Sequence, residues 1–137
     1  MGIILDSSIL IAFERKRFDL ERLLADRFPA ALAAITAAEL LIGVHRADTP
    51  ARRIRREEFV ENILARMPII PFDLVPARLY AARFAELAGR GEMIGDRDLQ
   101  IAVTAIGMGY ELGTLNVREF NRVSGLALVD ISGYVVS

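Results

Sequence analysis

The sequence predicts an α/β domain built on a short, mostly parallel sheet of roughly four to five strands. Two observations carry that prediction. Short apolar runs, too brief for helices, alternate along the chain with longer segments of helical periodicity. Acids, hydroxyls, prolines and glycines punctuate the places where one kind of segment gives way to the other. The 137 residues suit one core, and no linker, repeat or low-complexity stretch divides them, so residues 1–137 are read as a single domain.

Ile3 to Leu5 is a buried strand ended by Asp6-Ser7-Ser8, and Ile9 to Arg15 follows as helix with Ser7 or Asp6 as its N-cap. Asp19 to Arg27 is a second short helix, with Leu20, Leu23 and Leu24 on one face. Ala30 to Ile35 is a second buried strand between Pro29 and Thr36. Thr36-Ala37-Ala38-Glu39 has the capping-box pattern, in which hydroxyl and carboxylate each satisfy a free amide, and opens a helix to about Arg46. Pro50 starts a long amphipathic helix to about Arg66, carrying Ile54, Phe59, Ile63 and Leu64. Ile69-Ile70 is a brief strand between prolines. Asp73 caps the next helix, which runs to about Ala88 and stops at Gly89-Arg90-Gly91. Asp98 precedes helix Leu99 to Met108, ended by Gly107 and Gly109. Tyr110 to Thr114 is a fourth strand, followed by a helical turn from Val117 to Arg122 and an edge strand from Leu126 to Val129.

Composition narrows the chemistry. An apolar fraction of 53% and a charged fraction of 26% exclude a disordered chain. The richest apolar stretch, Pro29 to Val44, is broken by Thr36 and Glu39, so no membrane span is expected. Asp6 interrupts the apolar start and no basic region precedes it, which argues against a secretory signal. There is no cysteine, in keeping with a reducing compartment, and the protein is expected in the cytosol. His45 is the sole histidine, which excludes a base-and-acid histidine pair within one chain and disfavours zinc. No nucleophile elbow, phosphate loop or dinucleotide fingerprint is present. Phosphoryl transfer to aspartate is disfavoured as well. Ser8 stands where a haloacid-dehalogenase-type phosphatase needs a second aspartate, and Lys16, the only lysine, lies too early for a receiver domain.

Carboxylate is what remains. In parallel sheets, sites form outside the carboxyl ends of the strands. Asp6, Glu39 and Asp98 fall at strand-to-helix junctions or helix starts, with Thr114 and Asn116 at the end of the fourth strand. Converged carboxylates would hold Mg²⁺ or Mn²⁺, hard cations that prefer oxygen. Such ions support in-line attack of water on a phosphodiester with no side-chain nucleophile. Each acid also has a plainer reading. Glu39 is explained by the capping box, and Asp6 and Asp98 by helix capping and the N-terminal dipole.

Four blocks, in this order, resemble the VapC branch of the PIN-domain family. They are Leu5-Asp6-Ser7-Ser8 with Leu10-Ile11, and Ile35-Thr36-Ala37-Ala38-Glu39-Leu40 with Gly43. Then come Ile94-Gly95-Asp96-Arg97-Asp98-Leu99-Gln100-Ile101-Ala102, and Gly113-Thr114-Leu115-Asn116-Val117-Arg118-Glu119-Phe120 through Arg122, Gly125 and Leu126. The resemblance implies a three-layer α/β/α ribonuclease using Mg²⁺ or Mn²⁺, the toxin of a toxin–antitoxin pair acting on tRNA or another structured RNA. The family's acids fall on Asp6, Glu39 and Asp98, the last because it directly precedes the Leu-x-Ile-Ala run. At the fourth position, where many relatives carry aspartate, stands Asn116, which brings no charge for a second metal; Glu119 or Asp96 would compensate. Ser8 and Thr114 would orient the carboxylates. The implied partners are RNA, a small VapB-like antitoxin and a second copy of the chain. Two alternatives remain at this point: a stand-alone housekeeping nuclease, and a catalytically inactive binding module with the same fold.

Arg46, Arg52, Arg53, Arg55 and Arg56 form the densest basic cluster in a chain of net charge −1. They are read either as a solvated helix face or as contacts to RNA phosphates beside the acids. His45 is read as structural or exposed, and the Tyr80, Phe84 and Leu87 stripe as core.

Overall fold

The computed structural model describes residues 2–27 and 29–137. The chain runs β1 (Ile3–Leu5), α1 (Ser7–Glu14), α2 (Leu20–Asp26), β2 (Ala30–Ala33), α3 (Ala34–His45) and α4 (Pro50–Arg66). It continues with β3 (Ile69–Ile70), α5 (Leu74–Arg90), α6 (Asp96–Met108), β4 (Glu111–Gly113), α7 (Val117–Phe120) and a 3₁₀ turn, Ser132–Tyr134. The four strands pair in the order β3-β2-β1-β4, and every pairing is parallel. Ile3 faces Ala30 on one side and Glu111 on the other, and Leu5 faces Gly113.

Strand alternation then decides which helices cover which face. Ile3, Leu5, Ala30 and Leu32 point to one side and pack with Ile9, Leu20, Leu40, Val44, Val60 and Ile63 from α1 to α4. Ile4, Ala31, Ala33 and Leu112 point to the other and pack with Leu87 of α5, the Leu99–Ala105 face of α6, and Phe120. Strands buried on both faces are apolar at every position, which is why β1 and β2 read as continuous runs. The result is the expected three-layer α/β/α arrangement. Among the described residues, no helix is long and apolar enough to cross a membrane.

Four local expectations are corrected. β2 passes into α3 without a loop, so the helix begins at Ala34, and its N-cap, Ala33, offers no side-chain bond. Thr36 therefore lies inside the helix, buried and with no partner for its hydroxyl, and the capping box does not form. α6 starts at Asp96, placing Asp98 inside its first turn instead of at the cap, which is Gly95. α5 continues through Gly89 and is closed by Gly91 in the left-handed conformation, while Asp73 occupies its N-cap position without a side-chain bond. Leu126 to Val129 is no strand; it contributes one parallel bridge, Leu128 to Leu112.

At Gly113 the sheet leaves a side chain too little room unless its neighbours shift. A Cβ there would stand 3.0 Å from Ile3 Cδ1 and 3.2 Å from Leu5 Cδ2. Gly113→Ala should therefore cost about 1–3 kcal/mol through overpacking, read as a lower urea midpoint at unchanged slope.

Candidate active site at the carboxyl ends of β1 and β4

β2 and β3 lie to one side of β1 and β4 to the other. The connections therefore diverge between β1 and β4, and a crevice opens at their carboxyl ends, the usual place for a ligand in such sheets. Asp6 follows β1 and Thr114 follows β4. The Asp6 amide donates to the Gly113 carbonyl at 3.1 Å, so both residues leave the sheet side by side.

The Asp6 carboxylate is buried and held from both strands. Oδ1 accepts the Ser8 amide at 3.0 Å and the Ser8 hydroxyl at 2.5 Å. Oδ2 accepts the Thr114 hydroxyl at 2.6 Å. Those hydroxyl oxygens in turn accept backbone amides, Ser8 Oγ that of Leu115 at 3.0 Å and Thr114 Oγ1 that of Asn116 at 2.9 Å. Asp6 is thus the N-cap of α1, as its plainer reading required, and also the centre of a polar lattice binding α1 to the β4–α7 turn. Burial raises its pKa, and the Ser8 and Thr114 bonds partly offset that rise.

Asp98 reaches the same place from the first turn of α6. Its carboxyl is pushed up to about 6, first by desolvation, then by Glu119, with Asp6 and Glu39 also contributing. Four acids therefore share one electrostatic field. Glu39 projects from α3, half-buried, with Oε2 at 3.5 Å from Arg97 Nη1. Its Oε1 is buried without a hydrogen-bond partner. Among the described residues, no three acids stand close enough to hold an ion as placed. Asp6 is engaged by hydroxyls and Glu39 faces Arg97. The donor chemistry still fits Mg²⁺ or Mn²⁺: the ligands are all oxygen, one is an unpartnered buried carboxylate oxygen, and negative charge is in excess.

A family model described as the PIN domain matches residues 3–126. The chain belongs to the PIN-domain family. It is 37% identical over 132 residues to Ribonuclease VapC1 of Rickettsia felis, covering 96% of this chain and 98% of that one. It is 30% identical to the tRNA(fMet)-specific endonuclease VapC of Shigella flexneri, covering 96% and 99%. Its fold matches the structure of VapBC2 from Rickettsia felis bound to a promoter DNA fragment, with TM-score 0.84 and 30% identity over 94% of this chain and 98% of that one.

This PIN domain brings together Asp6, Glu39, Asp98 and Glu119, with Ser8 and Thr114 beneath them. Asn116 lies exposed at the rim, tied in by its backbone amide. Asp96 does not join. Its carboxylate accepts the Tyr80 hydroxyl and, at 3.1 Å, the Gln100 amide, and that bond pushes the Tyr80 pKa up to about 12. Tyr80 and Leu87 pack against the core as expected, whereas Phe84 stacks on Tyr80 while 46% exposed. His45 is exposed at the end of α3, and its carbonyl accepts from Arg53 at 3.5 Å.

Two features escaped the sequence reading. Arg97, between the acids of α6, lies over Glu39. The arginines are also sorted by helix phase. Arg52, Arg55, Arg56 and Phe59 recur at helical spacing and line one groove with Arg46, while Arg53 falls off that face. The spacing was present in the sequence as a signal.

Asp98 makes the apo protein pH-sensitive. Its folded pKa of about 6 exceeds the ordinary 3.8, so the folded state binds the proton more tightly. Stability should then fall as pH rises through that window and stay lower above it. Asp98→Asn should raise Tm in EDTA at pH 8 and leave it nearly unchanged at pH 4; equal shifts at both pH values would contradict the crowding of the acids.

Proposed function

We propose that this PIN domain is a metal-dependent endoribonuclease, the toxin of a VapBC-type pair, hydrolysing phosphodiesters of tRNA or another structured RNA in the cytoplasm. The observation that carries this reading is the convergence of Asp6, Glu39, Asp98 and Glu119 on one crevice, at a cost, first of desolvation and then of mutual repulsion, that raises the Asp98 pKa. A fold kept only for binding would have no use for that cost, which favours the enzyme over the inactive module. The near-complete overlap with relatives named as VapC ribonucleases favours a toxin over a housekeeping nuclease.

Asp6, Asp98 and Glu39 would hold Mg²⁺ or Mn²⁺, with Glu119 adding charge through Asp98. When bound, the ion would neutralise the acids, polarise the scissile phosphate and make water nucleophilic at neutral pH. The chain's own residues prepare the site. Ser8 and Thr114 fix the Asp6 carboxylate in one orientation, which keeps its rotamer entropy from opposing ion capture. Burial beside β1 and β4 excludes bulk water from Asp6 and strengthens every charge interaction there. A VapB-like antitoxin and a second copy of the chain are the proposed protein partners; the structural neighbours described as VapBC complexes support the first.

Purified protein freed of antitoxin should cut a total tRNA pool into discrete fragments with Mg²⁺ or Mn²⁺, and not in EDTA. Asp6→Asn and Asp98→Asn should reduce cleavage to background. Thr114→Val, which removes only the orienting hydroxyl, should lower metal affinity or activity roughly 10–100-fold. Folded protein that cuts no RNA would move the reading to the binding module.

A further inference from the structure

We propose that the groove between α3 and α4 is a phosphate track leading an RNA strand into the acid cluster, with Arg46 and Arg55 as its free contacts. The inference rests on the nuclease reading above and names where that site grips its substrate. A cluster of four acids repels a polyanion, so binding must come from cations placed beside it and in line with it. The groove supplies them. An open depression of about 780 Å³ is bordered by Arg46, Arg52, Arg55 and Arg56, against two carboxylates, Glu14 and Asp48. A second, narrower depression shares Glu14, Gly43, Arg46, Arg56 and Phe59 with it and is lined as well by Ser7, Glu39 and Arg97. The two together form a continuous path from an arginine-rich mouth to the acids.

The guanidiniums along this path differ in what holds them. Arg52 Nη1 donates to both oxygens of Asp48, at 2.7 and 2.8 Å. Arg56 Nε pairs with Glu14 at 2.7 Å, and its Nη1 lies over the Cα of Gly43, where a Cβ would come within 3.1 Å. Arg56 is thereby held between α1 and α3 while lining the groove. Arg46 and Arg55 make no ion pair with a described acid. Both acids of the groove are therefore already answered, and two arginines remain unanswered. Planar guanidiniums that are held or waiting along one wall suit bidentate contact with successive phosphates. Phe59, shared by both depressions, gives a base an apolar surface to lie on.

The test is the salt dependence of binding in EDTA, where cleavage does not intervene. A short fluorescein-labelled oligouridine is titrated with wild type, Arg46→Gln, Arg55→Gln, the double variant and Arg78→Gln, an exposed arginine on α5 outside the groove. The slope of log K against log[KCl] should shrink by about 0.7 per groove arginine removed and about 1.4 in the double variant. It should stay unchanged in Arg78→Gln. With Mg²⁺ or Mn²⁺ present, the double variant should raise KM for tRNA more than it lowers kcat. An unchanged slope in a folded double variant, with wild-type cleavage intact, overturns the track and leaves the nuclease reading standing. Loss of polyglutamate binding without loss of RNA binding also overturns it, assigning the groove to an acidic protein segment. Wild type that neither cuts nor binds RNA in a salt-dependent way overturns both.

Discussion

A buried carboxylate is unfavourable unless its oxygens are answered, and the site is organised around answering those of Asp6. The partners come from the segments that follow the two strands ending at the crevice. Ser8 belongs to the first turn of α1 and Thr114 to the turn after β4; the Ser8 hydroxyl oxygen accepts the Leu115 amide across the crevice, and the Thr114 oxygen accepts the Asn116 amide two residues on. The lattice therefore locks the β1–β4 register as well as orienting an acid. Gly113 lets that register close, since β4 approaches Ile3 and Leu5 so closely there that a side chain would have to shift them. Packing and polar chemistry thus meet within two residues of the same strand.

The other acids are added from the helical layers, and the geometry of those layers keeps them partly apart. Glu39 arrives from α3 on one face of the sheet, Asp98 and Glu119 from α6 and α7 on the other. Burying Asp98 and placing these acids beside it raise its pKa, desolvation first and Glu119 next, at a cost in stability when it is ionised. Arg97 relieves some of that cost at Glu39 from a distance of 3.5 Å, too long and too exposed for a strong pair. Under the proposed function, a metal ion or a partner's cation would take the place of this weak internal one. The same division bears on the proposed RNA substrate in a chain of net charge −1. Its charge is separated into an acidic end and a basic groove, and a polyanion responds to the local field and not to the sum.

Much of this was legible from residue patterns, and the exceptions have specific physical causes. β1, the long helices and the junction acids follow from apolar periodicity and cap chemistry. The choice of Asp98 over Asp96 is a matter of helix phase: two residues apart on a helix means about 200° around its axis, so one acid faces the crevice and the other faces Tyr80 on α5. Glu39 was ambiguous because Thr-x-x-Glu satisfies two explanations equally. Only the absence of a loop between β2 and α3, which buries Thr36 inside the helix, frees Glu39 from the cap. Leu126 to Val129 has the composition of a strand, yet it forms one bridge, because edge pairing depends on tertiary placement that local pattern does not encode. Arg53 was grouped with its neighbours because adjacency in sequence stood in for adjacency on a helix face.

Asn116 shows why a single position is a poor measure of a site. An amide there removes one negative charge from the rim, which by itself suggests a weakened cation site. Asn116 nonetheless retains a structural part, since its backbone amide anchors the Thr114 hydroxyl that orients Asp6. One helical turn later, Glu119 raises the Asp98 pKa more than any other acid does. The charge missing at Asn116 is present three residues away, delivered to the same carboxylate by the helix that Asn116 itself begins. In this chain the negative field at Asp98 comes from Glu119 on α7, with Asp6 and Glu39 adding to it.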